Sequence, residues 1–256
     1  MNWAAGKGAP RVVAVMLTAD RQEMTARALT CFLKQQGYPN RELFILDTGQ
    51  VPFELRHSLQ REDLKRIRYV NMRRKPDDTI GSLRNLAAYL VGETADVLMH
   101  WDSDDWSAPA RMGDQVRELL AHPDRDGVGY HSMHFYRKAD RSTWLYQLDG
   151  YALGTSMAYW REAWQRSGGF ESRQVGEDTN FAKVVRFKTY GHLTPITKYP
   201  FMVAELHPGN TTTGKPPKDP SLEWTPAPHM ATTCEILLGY ADELGRKKQK
   251  QGELAL

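Results

Sequence analysis

The sequence predicts an α/β fold, a mostly parallel sheet flanked by helices, with a C-terminal extended arm and helix. Three observations carry this reading. Short, largely apolar runs at 12–17, 42–46, 67–70 and 97–101 alternate with helical patterns through the first half of the chain. The first run, Val12-Val13-Ala14-Val15-Met16-Leu17, is unbroken, as suits a strand buried on both faces. Polar residues Thr18, Asp47 and Asp102 stand at the carboxyl ends of three of these runs, where open α/β sheets bind ligands.

Each element has a local reason. After the first strand, Thr18-Ala19-Asp20-Arg21 reads as a polar loop, and a helix from about 23 to 36 stops at Gly37, with Pro39 beyond it. The second strand ends in Asp47-Thr48-Gly49. Residues 51–66 are polar and helical in part. Gly81 to Leu90 is amphipathic and leads into the run Val97-Leu98-Met99-His100-Trp101. Residues 111–120 read as helix, and 128–136, alternating and aromatic-rich, as one strand. Further strands are expected within 143–160, a helix over 160–167, a turn at Gly168-Gly169-Phe170, and a helix from Glu177 to about 187. An extended segment at 195–203 precedes the loop His207-Pro208-Gly209-Asn210. Five prolines at 214–228 suggest an extended arm, followed by a helix at about 230–245 and a basic tail, Arg246 to Lys250. No internal repeat is present.

Composition bounds the class. The chain has 256 residues, 41% hydrophobic and 25% charged, which suits one large domain or a domain with an appendage. A net charge of +3 permits a phosphorylated or nucleic-acid partner without requiring one. Two distant cysteines, Cys31 and Cys234, form neither a disulfide framework nor a metal knuckle. The polar N-terminus has no signal core, and no run reaches the roughly 20 apolar residues a membrane span needs. A soluble, cytoplasmic protein is expected.

The segment Trp101-Asp102-Ser103-Asp104-Asp105-Trp106 concentrates three carboxylates at a strand end. Residues two apart in a strand project to one side, so Asp102 and Asp104 repel each other unless a cation lies between them. Oxygen ligands of this kind suit magnesium, manganese or calcium. An acidic turn capping the next helix is the plainer alternative. Asp178 likewise reads either as a routine helix cap or as a proton acceptor. His207 is either an ordinary loop histidine or a ligand. Arg84, near a helix start that favours phosphate, is otherwise a solvated arginine.

Taken together in order and spacing, these motifs resemble family 2 glycosyltransferases of the GT-A, Rossmann-like fold. The resemblance covers roughly residues 11–212. It rests on Val15-Met16-Leu17-Thr18-Ala19-Asp20-Arg21, Phe44-Ile45-Leu46-Asp47-Thr48-Gly49, Gly81-Ser82-Leu83-Arg84-Asn85-Leu86-Ala87, Asp102-Ser103-Asp104-Asp105, Gly168-Gly169-Phe170-Glu171 and Gly176-Glu177-Asp178-Thr179-Asn180-Phe181. It implies a glycosyltransferase domain over 1–213, with a nucleotide-sugar half at about 11–106 and an acceptor half at about 107–213. The proline-rich arm and C-terminal helix occupy 214–256.

The resemblance also implies site residues. Thr18 and Asp47 match positions holding the nucleoside, and Arg21 lies near the same nucleotide. Arg84 matches a position close to the diphosphate. Asp102, Ser103 and Asp104 form the D-x-D motif that contacts the ribose and binds the metal, with His207 completing the metal shell. Asp178 matches the general base, and Glu177 binds acceptor or orients Asp178. Trp106 is a candidate stacking platform for the acceptor. Mn2+ or Mg2+ fits this donor set better than zinc, since no thiolates are on offer. A nucleotide-diphosphate sugar is the implied donor, with a UDP-sugar favoured. One base and no second nucleophile predict direct displacement with inversion. Two departures touch the nucleoside pocket: the second strand ends in one carboxylate where the family more often has two, and Ala19-Asp20 replaces the usual Tyr-Asn.

The acceptor half is rich in aromatics, including Tyr130, Phe135, Tyr136, Trp144, Tyr146 and Tyr151, which suit sugars or flipped bases. The expected acceptors are therefore a glycan, a small molecule, a protein or a hydroxylated DNA base, the last drawing on the basic runs at 73–75 and 246–250. Two rival classes are a sugar-nucleotide nucleotidyltransferase and a non-catalytic sugar- or nucleic-acid-binding module. The first would want a glycine-rich loop after the first strand, and Leu17-Thr18-Ala19-Asp20-Arg21 has no glycine.

Overall fold

The computed structural model describes residues 8–55, 61–194, 199–210 and 223–239. The first half runs β1 (Val12–Thr18), α1 (Gln22–Leu33), β2 (Arg41–Asp47), α2 (Arg61–Leu64), β3 (Ile67–Asn71), α3 (Ile80–Val91) and β4 (Val97–His100). The second half runs β5 (Trp106–Ser107), α4 (Arg111–Ala121), β6 (Gly127–Tyr130), β7 (Ser132–Arg137), β8 (Ser142–Gln147), β9 (Ala158–Trp160) and α5 (Arg161–Ser167). It continues with α6 (Glu177–Val184), β10 (Phe187–Tyr190), β11 (Met202–Leu206), β12 (Trp224–Pro226) and α7 (Ala231–Leu237).

Among the described residues the central sheet has seven strands in the order β10-β6-β9-β4-β1-β2-β3. Strands β3, β2, β1 and β4 are mutually parallel, as are β6 and β10, while β9 runs antiparallel between β4 and β6. The α/β fold expected from the sequence is thus present. Alternation along β1 divides the core: Val12, Ala14 and Met16 join Phe32, Ile45 and Trp101 on one face. Val13 and Val15 join Phe44, Leu83, Phe170 and Phe181 on the other. A second, five-stranded sheet has the order β12-β8-β7-β11-β5.

Several boundaries differ from expectation. Helix α1 ends at Leu33, three residues short, because the chain is drawn off to meet the segment before α4. There the Gln35 amide donates to Ala108 O at 2.7 Å and accepts from Met112 N at 2.9 Å, and Gln36 N donates to Pro109 O at 2.7 Å. The single strand expected over 128–136 is two strands, β6 and β7, in different sheets. At His131 the backbone amide donates to Tyr190 O while Leu148 N donates to His131 O, so the residue bridges both sheets. Helix α6 stops at Val184, and Phe187 opens β10. The expected helical content of 51–66 is confined to α2 among the described residues.

The arm expected from 214 lies outside the described residues up to 222, but β12 pairs with β8, and α7 packs Cys234 and Leu238 against Tyr136 and Val203. The closing helix beyond 239 and the basic tail at 246–250 lie outside the described residues, as does 195–198 of the extended segment. Among the described residues no helix is long and apolar enough to cross a membrane.

Trp101 anchors the end of β4. It is 1% exposed, its indole N–H donates to Ala28 O at 3.0 Å, and Phe32 meets it edge-on at 5.9 Å. The Arg111 guanidinium lies 4.8 Å from its ring centre. Trp101→Ala should therefore cost about 3–5 kcal/mol of stability, measured by urea unfolding.

Candidate active site

One cleft of about 760 Å³ opens at the carboxyl ends of β1 and β4 and extends across the second sheet. Thr18, Arg21, Arg84, Asp102, Ser103, Asp104, Glu177 and Asp178 all line it. Residues from both halves of the chain, separated by up to 160 positions, are thus brought to one opening.

The acidic cluster follows β4 directly. One carboxylate oxygen from each of Asp102, Asp104 and Asp105 lies within 4.8 Å of the others. Such a cluster must be neutralised, and basic side chains from three directions approach it. Arg21, at the start of α1, donates to Asp104 Oδ2 at 2.7 Å and also to Gly209 O. His207 Nε2 lies 2.9 Å from the same Oδ2, while its Nδ1 accepts from Gly209 N at 3.1 Å. With Nδ1 acting as acceptor, Nε2 carries the proton and donates to Asp104. Burial works to raise the Asp104 carboxyl, but the His207 hydrogen bond and the Arg21 charge outweigh it and hold the group below the ordinary carboxylate value.

The other two carboxylates are less well compensated. The Asp102 side chain is 32% exposed, and Arg84 reaches it only at 3.7 Å. Desolvation lifts its carboxyl, Arg84 opposes, and Asp104 adds to the lift. Asp105 is buried and accepts from the Thr155 hydroxyl at 2.6 Å. Burial, then the charges of Asp104 and Asp102, push it well above the usual value. Ser103 is 2% exposed and its hydroxyl has no hydrogen-bond partner among the described residues. A short supply of positive charge and an orphaned hydroxyl at the cleft fit an oxygen-seeking divalent cation and a polar ligand.

Arg84 is set by the start of α3. Thr79 and Ser82 form a reciprocal cap there, at 3.2 and 2.8 Å, so the Ser82 amide is already used. Gly81 allows close packing: a Cβ at this position would fall 1.8 Å from Glu171 O. One turn on, Arg84 Nε donates to Glu177 Oε1 at 3.2 Å. Burial raises the Glu177 carboxyl against the pull of Arg84.

Asp178 stands at the opening of α6. Its Oδ1 accepts from the Thr179 amide at 2.8 Å. Its Oδ2 fills the space a side chain on Gly154 would take, 2.0 Å from where that Cβ would lie. Gly154 is itself fixed from β4, since His100 Nδ1 donates to Gly154 O at 2.6 Å. Burial and the Arg84 charge push His100 well below its ordinary value, so the ring is neutral. Arg111 ties the same region, donating to His100 O at 2.8 Å and Thr155 O at 3.0 Å.

Two expected residues sit away from the opening. Asp47 is 1% exposed, and its oxygens accept from Gly49 N at 2.9 Å, Phe53 N at 2.7 Å and Tyr69 OH at 2.6 Å. It shapes the loop after β2, and Thr48 of that loop lines the cleft. Trp106 packs with three hydrophobic clusters and against Tyr199 at 5.9 Å, and is not among the lining residues. Thr18 is buried with its hydroxyl 2.7 Å from that of Thr25. Sequence reasoning missed His100, Gly154, Thr155 and Arg111, together with the buried pair Arg27–Glu205 at 2.7 Å beside the Asp104 carbonyl.

Asp105 carries a stability prediction. Its folded-state pKa lies above that of the unfolded chain, so the fold binds more protons. Its contribution therefore weakens the fold as pH rises from the ordinary carboxylate range through the folded value. Asp105→Asn should melt about 2–4 °C higher at pH 7, the shift that roughly 1 kcal/mol gives in a chain of this size. The gain should fade as pH falls through about 4 and vanish by about pH 3, where the carboxyl is largely neutral in both states. Thermal melts of both proteins at pH 7 and about pH 3 check this.

The family model described as glycosyl transferase family 2 matches residues 13–188. No curated protein matches the chain. Among solved structures, S. aureus TarS 1–349 superposes with a TM-score of 0.55 at 13% identity, over 76% of this chain and 60% of that one. The same protein in complex with UDP-GlcNAc gives 0.55 at 12% identity, over 78% and 60%. Mannosyltransferase PcManGT from Pyrobaculum calidifontis, in complex with GDP-Man and Mn2+, gives 0.52 at 17% identity, over 78% and 57%. The chain thus spans about three-fifths of the length of the TarS structure it resembles. The likeness to these structures is one of fold, while the family match covers more than half of the sequence, from β1 through the acidic cluster to α6. The chain belongs to glycosyl transferase family 2.

Proposed function

We propose that the chain moves a hexose from a nucleoside diphosphate sugar to an acceptor hydroxyl, with inversion and with the help of Mn2+ or Mg2+. The observation that carries this reading is the sharing of one cleft by the acidic cluster and Asp178. A binding module has no need of a carboxylate held opposite a cation site. The donors printed for similar structures are UDP-GlcNAc and GDP-Man, the second with Mn2+. A UDP-sugar is the first donor to test.

Asp102 and Asp104 would hold the cation, with His207 as the nitrogen ligand once its proton has moved from Nε2 to Nδ1. A cation there supplies Lewis-acid stabilisation of the departing diphosphate. Arg21 and Arg84 add fixed positive charge beside the same oxygens, and the unpartnered Ser103 hydroxyl offers a hydrogen bond. Thr18 and Thr48 line the strand ends where the nucleoside would lie, and Asp47 acts there through the loop it holds.

Asp178 takes the acceptor proton. Thr179 restrains Oδ1, and Gly154 leaves room for Oδ2. As that proton moves to the carboxylate, the acceptor oxygen bonds to the anomeric carbon and the bond to the diphosphate breaks. Glu177 is paired with Arg84 and orients rather than reacts.

Asp178→Asn should keep donor binding and lower transfer by roughly 100- to 10,000-fold, the usual worth of a general base. Asp104→Ala should abolish the metal-dependent thermal shift produced by donor. Gly154→Ala, which must displace Asp178, should lower kcat by about 100-fold while leaving donor binding in place. Donor binding by thermal shift with Mn2+, and transfer by UDP release, check all three. Unchanged transfer in Asp178→Asn would remove the assignment.

A further inference from the structure

We propose that the acceptor is the end of a neutral glycoside, seated on an aromatic floor that the second sheet builds beside Asp178. The inference rests on the glycosyltransferase reading of the cleft and names the substrate class of its other half.

The floor follows from register. Met133 on β7 pairs with Tyr146 on β8, and Tyr146 pairs with Trp224 on β12, so these three share one face of the sheet. Phe135, two residues from Met133, lies on the same face. All four line the cleft. Trp224 stands 4.9 Å from both Phe135 and Tyr146, at 58° and 62° to them, and those two are 6.3 Å apart at 78°, so the three rings pack edge to face as one apolar cluster on the cleft wall.

The rim of this surface is acidic. Glu223, next to Trp224 in the chain, and Asp178 line the same cleft as these rings. The cationic side chains lining the cleft among the described residues are engaged elsewhere. Arg21 is on Asp104, Arg84 is on Glu177 and Asp102, and Arg74 is on Gln174 and the Asp78 carbonyl.

A pyranose matches this pattern. Its C–H face suits aromatic rings, and its peripheral hydroxyls donate to carboxylates in strong, charge-assisted bonds. A phosphate-bearing polyol or a DNA strand would bring negative charge against Asp178 and Glu223 in a partly desolvated cleft, where like charges are excluded.

The test uses the full chain with Mn2+ and, in separate runs, UDP-GlcNAc and GDP-Man as donor. Three acceptor classes are compared: methyl glycosides of neutral disaccharides, a polyol-phosphate polymer, and duplex DNA carrying hydroxymethyl bases. Transfer and donor hydrolysis are read separately. Transfer to a neutral glycoside is expected, with none to the two polyanions. Glu223→Gln should raise the acceptor KM about tenfold, the loss of one charge-assisted hydrogen bond, with kcat and the donor-induced thermal shift kept. Trp224→Ala should raise KM further, and Trp224→Phe should restore most of it. Preferred transfer to either polyanion overturns the proposal, as does an unchanged KM in either Glu223→Gln or Trp224→Ala. Donor hydrolysis with no transfer to any neutral glycoside overturns the acceptor class and leaves the enzyme reading intact. Absence of donor binding and hydrolysis together overturns both.

Discussion

Three carboxylates crowded at the end of β4 are the constraint around which this fold is arranged. Charges this close cannot leave water without positive partners. The partners come from three helices on both faces of the sheet: Arg21 at the start of α1, Arg84 in the first turns of α3, and Arg111 opening α4. Each helix is held by its own apolar face, and each contributes one guanidinium to a single rim. Arg111 does so indirectly, gripping the His100 and Thr155 carbonyls that frame the cluster. The compensation is incomplete at Asp102 and Asp105, at some cost in stability.

That rim also sets the position of Asp178, although 76 residues separate it from Asp102. The route is short in space. His100, the last residue of β4, fixes the Gly154 carbonyl, and Gly154 has no side chain to keep Asp178 away. Arg84 continues the link by pairing with Glu177, the neighbour of Asp178. Strand end, glycine and helix start are therefore joined by direct contacts, which tie the position of Asp178 to that of the acidic cluster.

Much of this was legible in the sequence where the signal was local. The strands β1, β2 and β4 declare themselves by apolar runs, and Thr18, Asp102 and Asp104 by following them. What stayed hidden depends on long-range pairing. Nothing near Arg27 announces Glu205, and nothing near His100 announces Gly154, because each pair is joined only by the folded sheet. The break between β6 and β7 was invisible for a different reason. Aromatic alternation continues through His131 with no proline at the turn, and the nearest glycine, Gly129, lies inside β6, so a period-two pattern reads as one strand. Asp47 was legible as a strand-end carboxylate, but its donors Phe53 and Tyr69 come from a loop and a neighbouring strand.

The break at His131 is what gives the cleft two unlike ends. Had β6 and β7 continued as one strand, Phe135 would have lain in the central sheet, among helices. Instead the chain leaves the parallel sheet after Tyr130, and β7 starts a second sheet whose aromatic face opens onto the same cleft. Strand β11 then pairs parallel to β7 and delivers His207 back to Asp104. One turn thus separates a charged end, built on β1 and β4, from an apolar one built on β7, β8 and β12. The His207 loop closes the boundary between them: its ring donates to the acidic cluster, and its own backbone, through Gly209, holds Arg21. Any ligand that draws the proton from Nε2 also unsettles the Gly209 amide on Nδ1, since a neutral imidazole cannot accept at both nitrogens. The charged end and the loop beside the aromatic end are therefore coupled through a single ring.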